Sequence, residues 1–278
     1  MEVRITTLIE NNMDDHSQLI YEHGLSLYIE ADGKKILFDT GESGAFVDNA
    51  KSLNIDLQSL DFCIISHGHY DHSGGVKKFI SEMKIVPPFV VGDEFFRPKY
   101  KTTDVPGFKY NGNSFDEEFM ENNQISLRKI KEGVVYLTEK IIVFHHFSRD
   151  TDYEKRNNRF FIKEHEEYIP DNFDDEIALG MITKKGLVVI VGCSHVGIVN
   201  ILKTISKRVT IPIYAVIGGT HLIEADEQRI RHTIEAFKEM DIQLLALSHC
   251  TGEEGIRLIR EEREEQFLYN NTGNVIEI

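Results

Sequence analysis

Five times along this 278-residue chain a short apolar run ends at a histidine: FCIISH at 62–67, IIVFH at 141–145, VVIVGCSH at 188–195, YAVIGGTH at 214–221 and LLALSH at 244–249. Runs this short, bounded by glycine and polar residues, read as buried strands. Helical spacing follows in GGVKKFISEMK and in IRHTIEAFKEMD, where Ile230, Ile234 and Phe237 fall on one face. Strand, polar loop, helix is the grammar of an α/β protein, and the polar loops between packed elements carry the chemistry-bearing residues.

The amino-terminal part is antiparallel in character. VRITTLIE and LSLYIEADGKKILFDTG alternate in the β manner, and Asp32-Gly33 sits between two strand-like runs as a hairpin turn. SGAFVDNAKSLNI has helical spacing. From Gly92 to about Arg128 the periodicity fades, and Pro, Gly, Asn and aromatic residues mix, which predicts a loop-rich excursion or lid within a single domain spanning 1–278. GVVYLTEKIIVFHHF reads as strands, a charged stretch runs from Arg149 to Glu176, and VIEI closes the chain as a strand.

The densest signal is Ser66-His67-Gly68-His69-Tyr70-Asp71-His72-Ser73-Gly74-Gly75, with four potential ligands inside six residues. Imidazole nitrogen and carboxylate oxygen suit zinc, iron(II) or manganese. In a loop, ligands two apart turn to one side, so His67 and His69 grip one metal while Asp71 and His72 reach a neighbour. Gly68, Gly74 and Gly75 permit the tight backbone path. His145 and His146 also follow a strand, but alternation turns only one inward, and neither is placed in the metal set.

HGHYDHSGG resembles the HxHxDH signature of the metallo-β-lactamase superfamily. The resemblance implies an αββα sandwich of two mixed β-sheets flanked by helices, with two divalent metals at one edge. Phe38-Asp39-Thr40-Gly41 is similar to the family's early aspartate motif, which implies that Asp39 orients a metal-binding histidine. GCSHVG and SHCTG are similar to its later ligand motifs and imply His195 and His249 as ligands. The resemblance therefore gives His67, His69 and His195 to one metal and Asp71, His72 and His249 to the other. Many relatives carry a bridging aspartate in a Gly-Asp pair where this chain has Gly218-Gly219. Here either His221 faces the site, as ligand or as a hydrogen-bond donor in the transition state, or water alone makes the bridge, or His221 is structural.

EHGLSLYIE, ILFDTG, SHGHYDHSGG, GCSHVGIVN, GGTHL and SHCTG together resemble a group of metal-dependent hydrolases that includes the archaeal dihydropterin ribofuranosylaminobenzene 5'-phosphate synthases. Three functions follow. The first is hydrolysis of a small phosphodiester, lactone or related ester by metal-activated water, with Asp71 and His221 as catalytic groups. The second is pterin transfer, with Arg97, Lys99, Lys101 and Arg149 as candidates for the acceptor's phosphate. The third, which rests on Cys193 and Cys250 beside His195 and His249, is a non-catalytic metal-dependent ligand sensor or redox centre. Zinc is the default metal, with iron and manganese open. Phe95, Phe96, Tyr100, Phe108 and Tyr110 are candidates to cap a flat ring or simply pack the excursion.

Composition bounds the partners. With 31 Lys and Arg against 46 Asp and Glu, the net charge of −15 argues against non-specific nucleic-acid or anionic-lipid binding. No apolar run approaches the ~20 residues that span a bilayer, and no signal peptide begins the sequence, so the expected location is cytoplasmic. The expected partner is a small-molecule substrate, with homo-oligomerisation open. Cys63, Cys193 and Cys250 form no CxxC pair and suggest no disulfide framework.

Overall fold

The computed structural model describes residues 1–12 and 18–278. Among these, two seven-stranded mixed sheets face one another. The first runs in the order Val275–Glu277, Val3–Ile9, Ser26–Ala31, Lys34–Phe38, Phe62–Ile64, Phe89–Gly92, Leu127–Ile130, and the second Phe267–Tyr269, Leu244–Leu247, Ile213–Gly218, Leu187–Val191, Ile177–Ile182, Ile141–His145, Val134–Tyr136. Each sheet is antiparallel in one half and parallel in the other.

Alternation explains how both faces of a strand find partners. Along Leu187–Val191, Val188 and Ile190 point between the sheets against residues such as Ile29, Ile36 and Ile64. Leu187, Val189 and Val191 point outward under the helices Ile198–Arg208, Glu227–Glu239 and Gly252–Glu262. On the other side the helices Phe46–Ser52 and Val76–Glu82 cover the first sheet through Phe46 and Phe79. The result is the αββα sandwich of two mixed sheets that the sequence led us to expect.

Local expectations hold where chemistry dictates them. Asp32 and Gly33 have φ of 53° and 69°, the left-handed pair of a two-residue hairpin. Ile230, Ile234 and Phe237 are fully buried, and the Asp226 carboxylate caps their helix by accepting from Arg229 N at 2.8 Å. No helix among the described residues is long and apolar enough to cross a membrane.

The 92–128 excursion is more regular than its sequence suggests. Lys99–Thr102 and Phe108–Tyr110 join Phe160–Glu164 and Glu167–Pro170, from the charged stretch, in a small antiparallel sheet of order 167–170, 160–164, 99–102, 108–110. A short helix, Glu117–Asn122, follows. Two polar segments that each lack a core of their own thus pair with one another.

Candidate metal centre

The strand Phe62–Ile64 ends in the histidine loop, whose path is set by close backbone packing. A Cβ on Gly74 would lie 2.0 Å from Glu42 O, and one on Gly75 2.3 Å from Thr40 O. Beneath the loop Asp39, held at φ 60°, is fully buried. Its Oδ1 accepts from Ser66 N at 2.7 Å, and its Oδ2 accepts from Ser66 Oγ at 2.8 Å and His72 Nδ1 at 2.6 Å. With its hydroxyl proton given to Asp39, Ser66 Oγ accepts from His67 Nδ1 at 2.9 Å. Each bond aims the opposite ring nitrogen, Nε2, at the cluster, and on neutral His67 that Nε2 is bare.

Three neighbouring parallel strands of the second sheet supply the other side. Leu187–Val191 leads to Cys193 and His195, Ile213–Gly218 to His221, and Leu244–Leu247 to His249. Ser194, His221 and His249 all sit at positive φ, of 62°, 48° and 53°, a costly conformation for such residues. Buried carboxylates hold these turns by their main chain. Glu176 accepts from His195 N at 2.7 Å and Val196 N at 2.8 Å, Glu10 from His249 N at 2.7 Å, and Asp175 from Gly68 N at 2.7 Å. Lys99, itself buried, bonds Asp175 and Asp171 at 2.8 Å each.

The side chains meet in two groups. His67, His69 and His195 form one, with His67 Nε2 and His69 Nδ1 3.1 Å apart. Asp71, His72, Cys193 and His249 form the other. There His72 Nε2 lies 3.2 Å from His249 Nε2 and 3.0 Å from Cys193 Sγ, while Asp71 Oδ2 lies 3.3 Å from His249 Nε2. His249 Nδ1 donates to Asn11 Oδ1 at 2.9 Å, which again leaves Nε2 facing the group. His69 Nε2 and both ring nitrogens of His195 are buried without a partner among the described residues. Unpaired buried imidazoles beside a carboxylate and a thiol are the donor chemistry of a borderline divalent metal.

Electrostatics separates the groups. Burial holds His67, His69 and His195 neutral, well below the usual histidine range, helped by neighbouring imidazoles or Lys99. Burial also takes His221 and His249 down to about 4. For His72 the same burial is outweighed by the Asp39 and Asp71 charges, and its pKa rises to about 9. Burial would raise Asp71, but His72, His23 and His249 bring its carboxyl well below the carboxylate range.

All the residues expected at the site converge, with Asp39 directly behind His72. His221 lies beside His195, ring centroids 4.3 Å apart, and belongs to neither donor group. His145 Nε2 donates to Asp174 O and His146 Nε2 to Lys131 O, away from the cluster. Sequence reasoning brought in Cys193 only for the sensor reading, on its nearness to His195, and gave no role to His23, whose Nε2 is 3.3 Å from Asp71 Oδ2. The signal for His23 was its place in EHGLSLYIE.

The rim departs from expectation. Tyr100, Phe108 and Tyr110 share the outer face of the small sheet with Tyr168, where Phe108 and Tyr168 stack at 3.8 Å. Phe95 and Phe96 pack with Phe115. None of the five lines the cavity: strand alternation turns the other face of the sheet toward it, and Phe95 and Phe96 precede the sheet. Phe160 does line it, 5.2 Å from His69 and 5.1 Å from His195 between ring centroids. Of the expected phosphate contacts, Arg97 pairs with Glu94 and Glu164, Lys99 is buried with Asp171 and Asp175, and Arg149 donates to Val196 O and Asn172 O. Only Lys101 of these lines the cavity, with its Nζ 5.8 Å from the centre of the Tyr70 ring.

Sequence comparison agrees with this geometry. The metallo-beta-lactamase superfamily profile matches residues 21–203, and the chain belongs to that superfamily. It is 33% identical, over 99% of its length and 96% of the relative's, to the 7,8-dihydropterin-6-methyl-4-(beta-D-ribofuranosyl)-aminobenzene-5'-phosphate synthase of Methanocaldococcus jannaschii. The solved structure of Tm1679, described as a metal-dependent hydrolase of the beta-lactamase superfamily, superposes with a TM-score of 0.87 at 29% identity, covering 99% of both chains. Human tRNase Z, short form, shares the fold alone, with a TM-score of 0.55 at 12% identity over 98% of both chains.

Proposed function

We propose that this protein is a metal-dependent hydrolase of small esters, phosphodiesters or lactones, with His67, His69 and His195 holding one divalent metal and Asp71, His72 and His249 another, zinc by default. The observation that carries this reading is the convergence of two donor groups, from both sheets, with unpaired imidazole nitrogens facing inward. When bound, such metals polarise a phosphoryl or carbonyl oxygen and lower the pKa of water toward neutrality.

The chain's own groups divide the remaining work. Asp71, ionised and beside His72, accepts a hydrogen bond from the attacking water and orients it. His221 is neutral at physiological pH and donates its N–H to the developing oxyanion. Phe160 excludes bulk water over His69 and His195, and Lys101 meets an anionic substrate group. The cavity, about 150 Å³, admits the reacting group of a small molecule. A wider groove sharing Asn11, Ile223 and His249 accommodates the remainder.

A second reading is transfer of a pterin group to a phosphorylated ribosyl-aminobenzene acceptor, favoured by the full-length likeness to the archaeal synthase. Turnover of a simple phosphodiester with zinc or manganese, abolished by chelator, supports hydrolysis. Turnover only with a dihydropterin donor supports transfer, and metal binding with neither activity rejects both. In the active assay, His221→Ala should lower kcat by roughly 10²–10³-fold with metal content unchanged. Equal loss of metal and activity would make His221 a ligand instead.

A further inference from the structure

We infer that Cys193 coordinates metal as a thiolate in the Asp71, His72, His249 group, supplying the anionic ligand that Gly219 cannot. This rests on the metal reading above and extends it to a residue outside the ligand set proposed there.

Geometry carries the inference. With zinc bonds of about 2.0–2.3 Å, donors at the corners of a tetrahedron stand about 3.3 Å apart between nitrogen and oxygen, and about 3.5 Å from nitrogen to sulfur. Here His72 Nε2 is 3.2 Å from His249 Nε2 and 3.7 Å from Asp71 Oδ2, and Asp71 Oδ2 is 3.3 Å from His249 Nε2. Cys193 Sγ is the fourth donor of the group, 3.0 Å from His72 Nε2 and within 4.8 Å of the other two donor atoms. The other thiol nearby is otherwise engaged, since Cys250 Sγ donates to Cys193 O at 3.4 Å and accepts from His221 N at 3.3 Å.

The position expected to hold a bridging carboxylate is sterically closed. A Cβ on Gly219 would lie 2.5 Å from Cys250 Sγ and 2.7 Å from Gly192 O, so no side chain fits there without moving backbone. Among the donors of both groups, Asp71 would then be the single anion facing two dications. A thiolate at Cys193 doubles the negative charge. On binding, the sulfur gives its electron pair to the cation and the thiol proton leaves to solvent. Sulfur also makes the two positions chemically unequal, favouring zinc, cobalt or cadmium over manganese at the second.

The test is cobalt(II) titration of the chelator-treated full chain, followed by absorption. Visible d–d bands report uptake, and a near-ultraviolet sulfur-to-cobalt charge-transfer band reports the thiolate. The expected result is that the band appears, is lost in Cys193→Ser and persists in Cys250→Ser. Cys193→Asp should keep cobalt without the band and take manganese more readily than the wild type. Cobalt uptake without the band, or a band surviving in Cys193→Ser, overturns the thiolate while leaving the metal reading intact. Absence of uptake overturns both. A ¹¹³Cd resonance of the loaded wild type, displaced downfield as sulfur ligation requires, checks the assignment without a variant; two resonances in the nitrogen and oxygen range count against it.

Discussion

The two donor groups lie side by side yet differ in charge and in how many of their rings are tethered. His67, His69 and His195 are neutral, and two of the three keep unpaired ring nitrogens. Their loops are fixed through the main chain, by Asp175 at Gly68 and Glu176 at His195. In the other group the rings themselves are tethered, His72 by Asp39 and His249 by Asn11. That group also carries opposite charges on Asp71 and His72, so without metal it is partly self-neutralised. The first group is preformed and has no proton to give up, whereas the second must release one from His72 before that ring can ligate.

Breaking the main-chain support should have the largest effect. Lys99→Met leaves Asp171 and Asp175 buried without their cation, at a cost of about 3–5 kcal/mol. Urea denaturation should show that loss, and elemental analysis should show metal leaving the His67, His69, His195 group first. Equal depletion of both groups would dissolve the distinction.

Asp39→Asn tests the tethered group. Removing the charge that receives His72 should weaken metal binding there by about 10–100-fold while the first group keeps its metal, as read by competition with a chromophoric chelator.

The smallest effect is on the pH dependence of the metal-free chain. His67, His69, His195, His221 and His249 have folded pKa values below the unfolded value, so their contribution is present above about 6.5 and is lost as pH falls toward their folded values, about 4 for His221 and His249. Glu176, raised to about 7 chiefly by burial, runs the other way between about 4.5 and 7, as does His72 between about 6.5 and 9. Acidification from pH 6.5 should therefore destabilise the fold on balance. His195→Gln should reduce the slope by about 1.4 kcal/mol per pH unit in denaturation midpoints converted to free energy.

The ligand loop was legible because its donors are adjacent in sequence, and His195 and His249 because each ends an apolar strand. The sandwich was legible through the same strands. Glu10, Asp175 and Glu176 were not, since they act by accepting main-chain N–H groups, and Glu10 reaches across 239 positions to His249. Phe160 was hidden for a different reason. It sits in a stretch that the sequence marks only by its charge, and pairing with Lys99–Thr102 turns it over the histidines. Of the aromatic residues that looked suited to a ring, Tyr100, Phe108 and Tyr110 lie on the opposite face of that same sheet.

Because buried carboxylates grip the turns by their peptide groups, the side chains at the cluster are largely free of the task of shaping it. Donor identity can then drift by single substitutions while the turns stay in place. A fold built this way supplies a durable socket whose metal preference and reaction are adjustable, which gives lineages that share the socket a route to different chemistries.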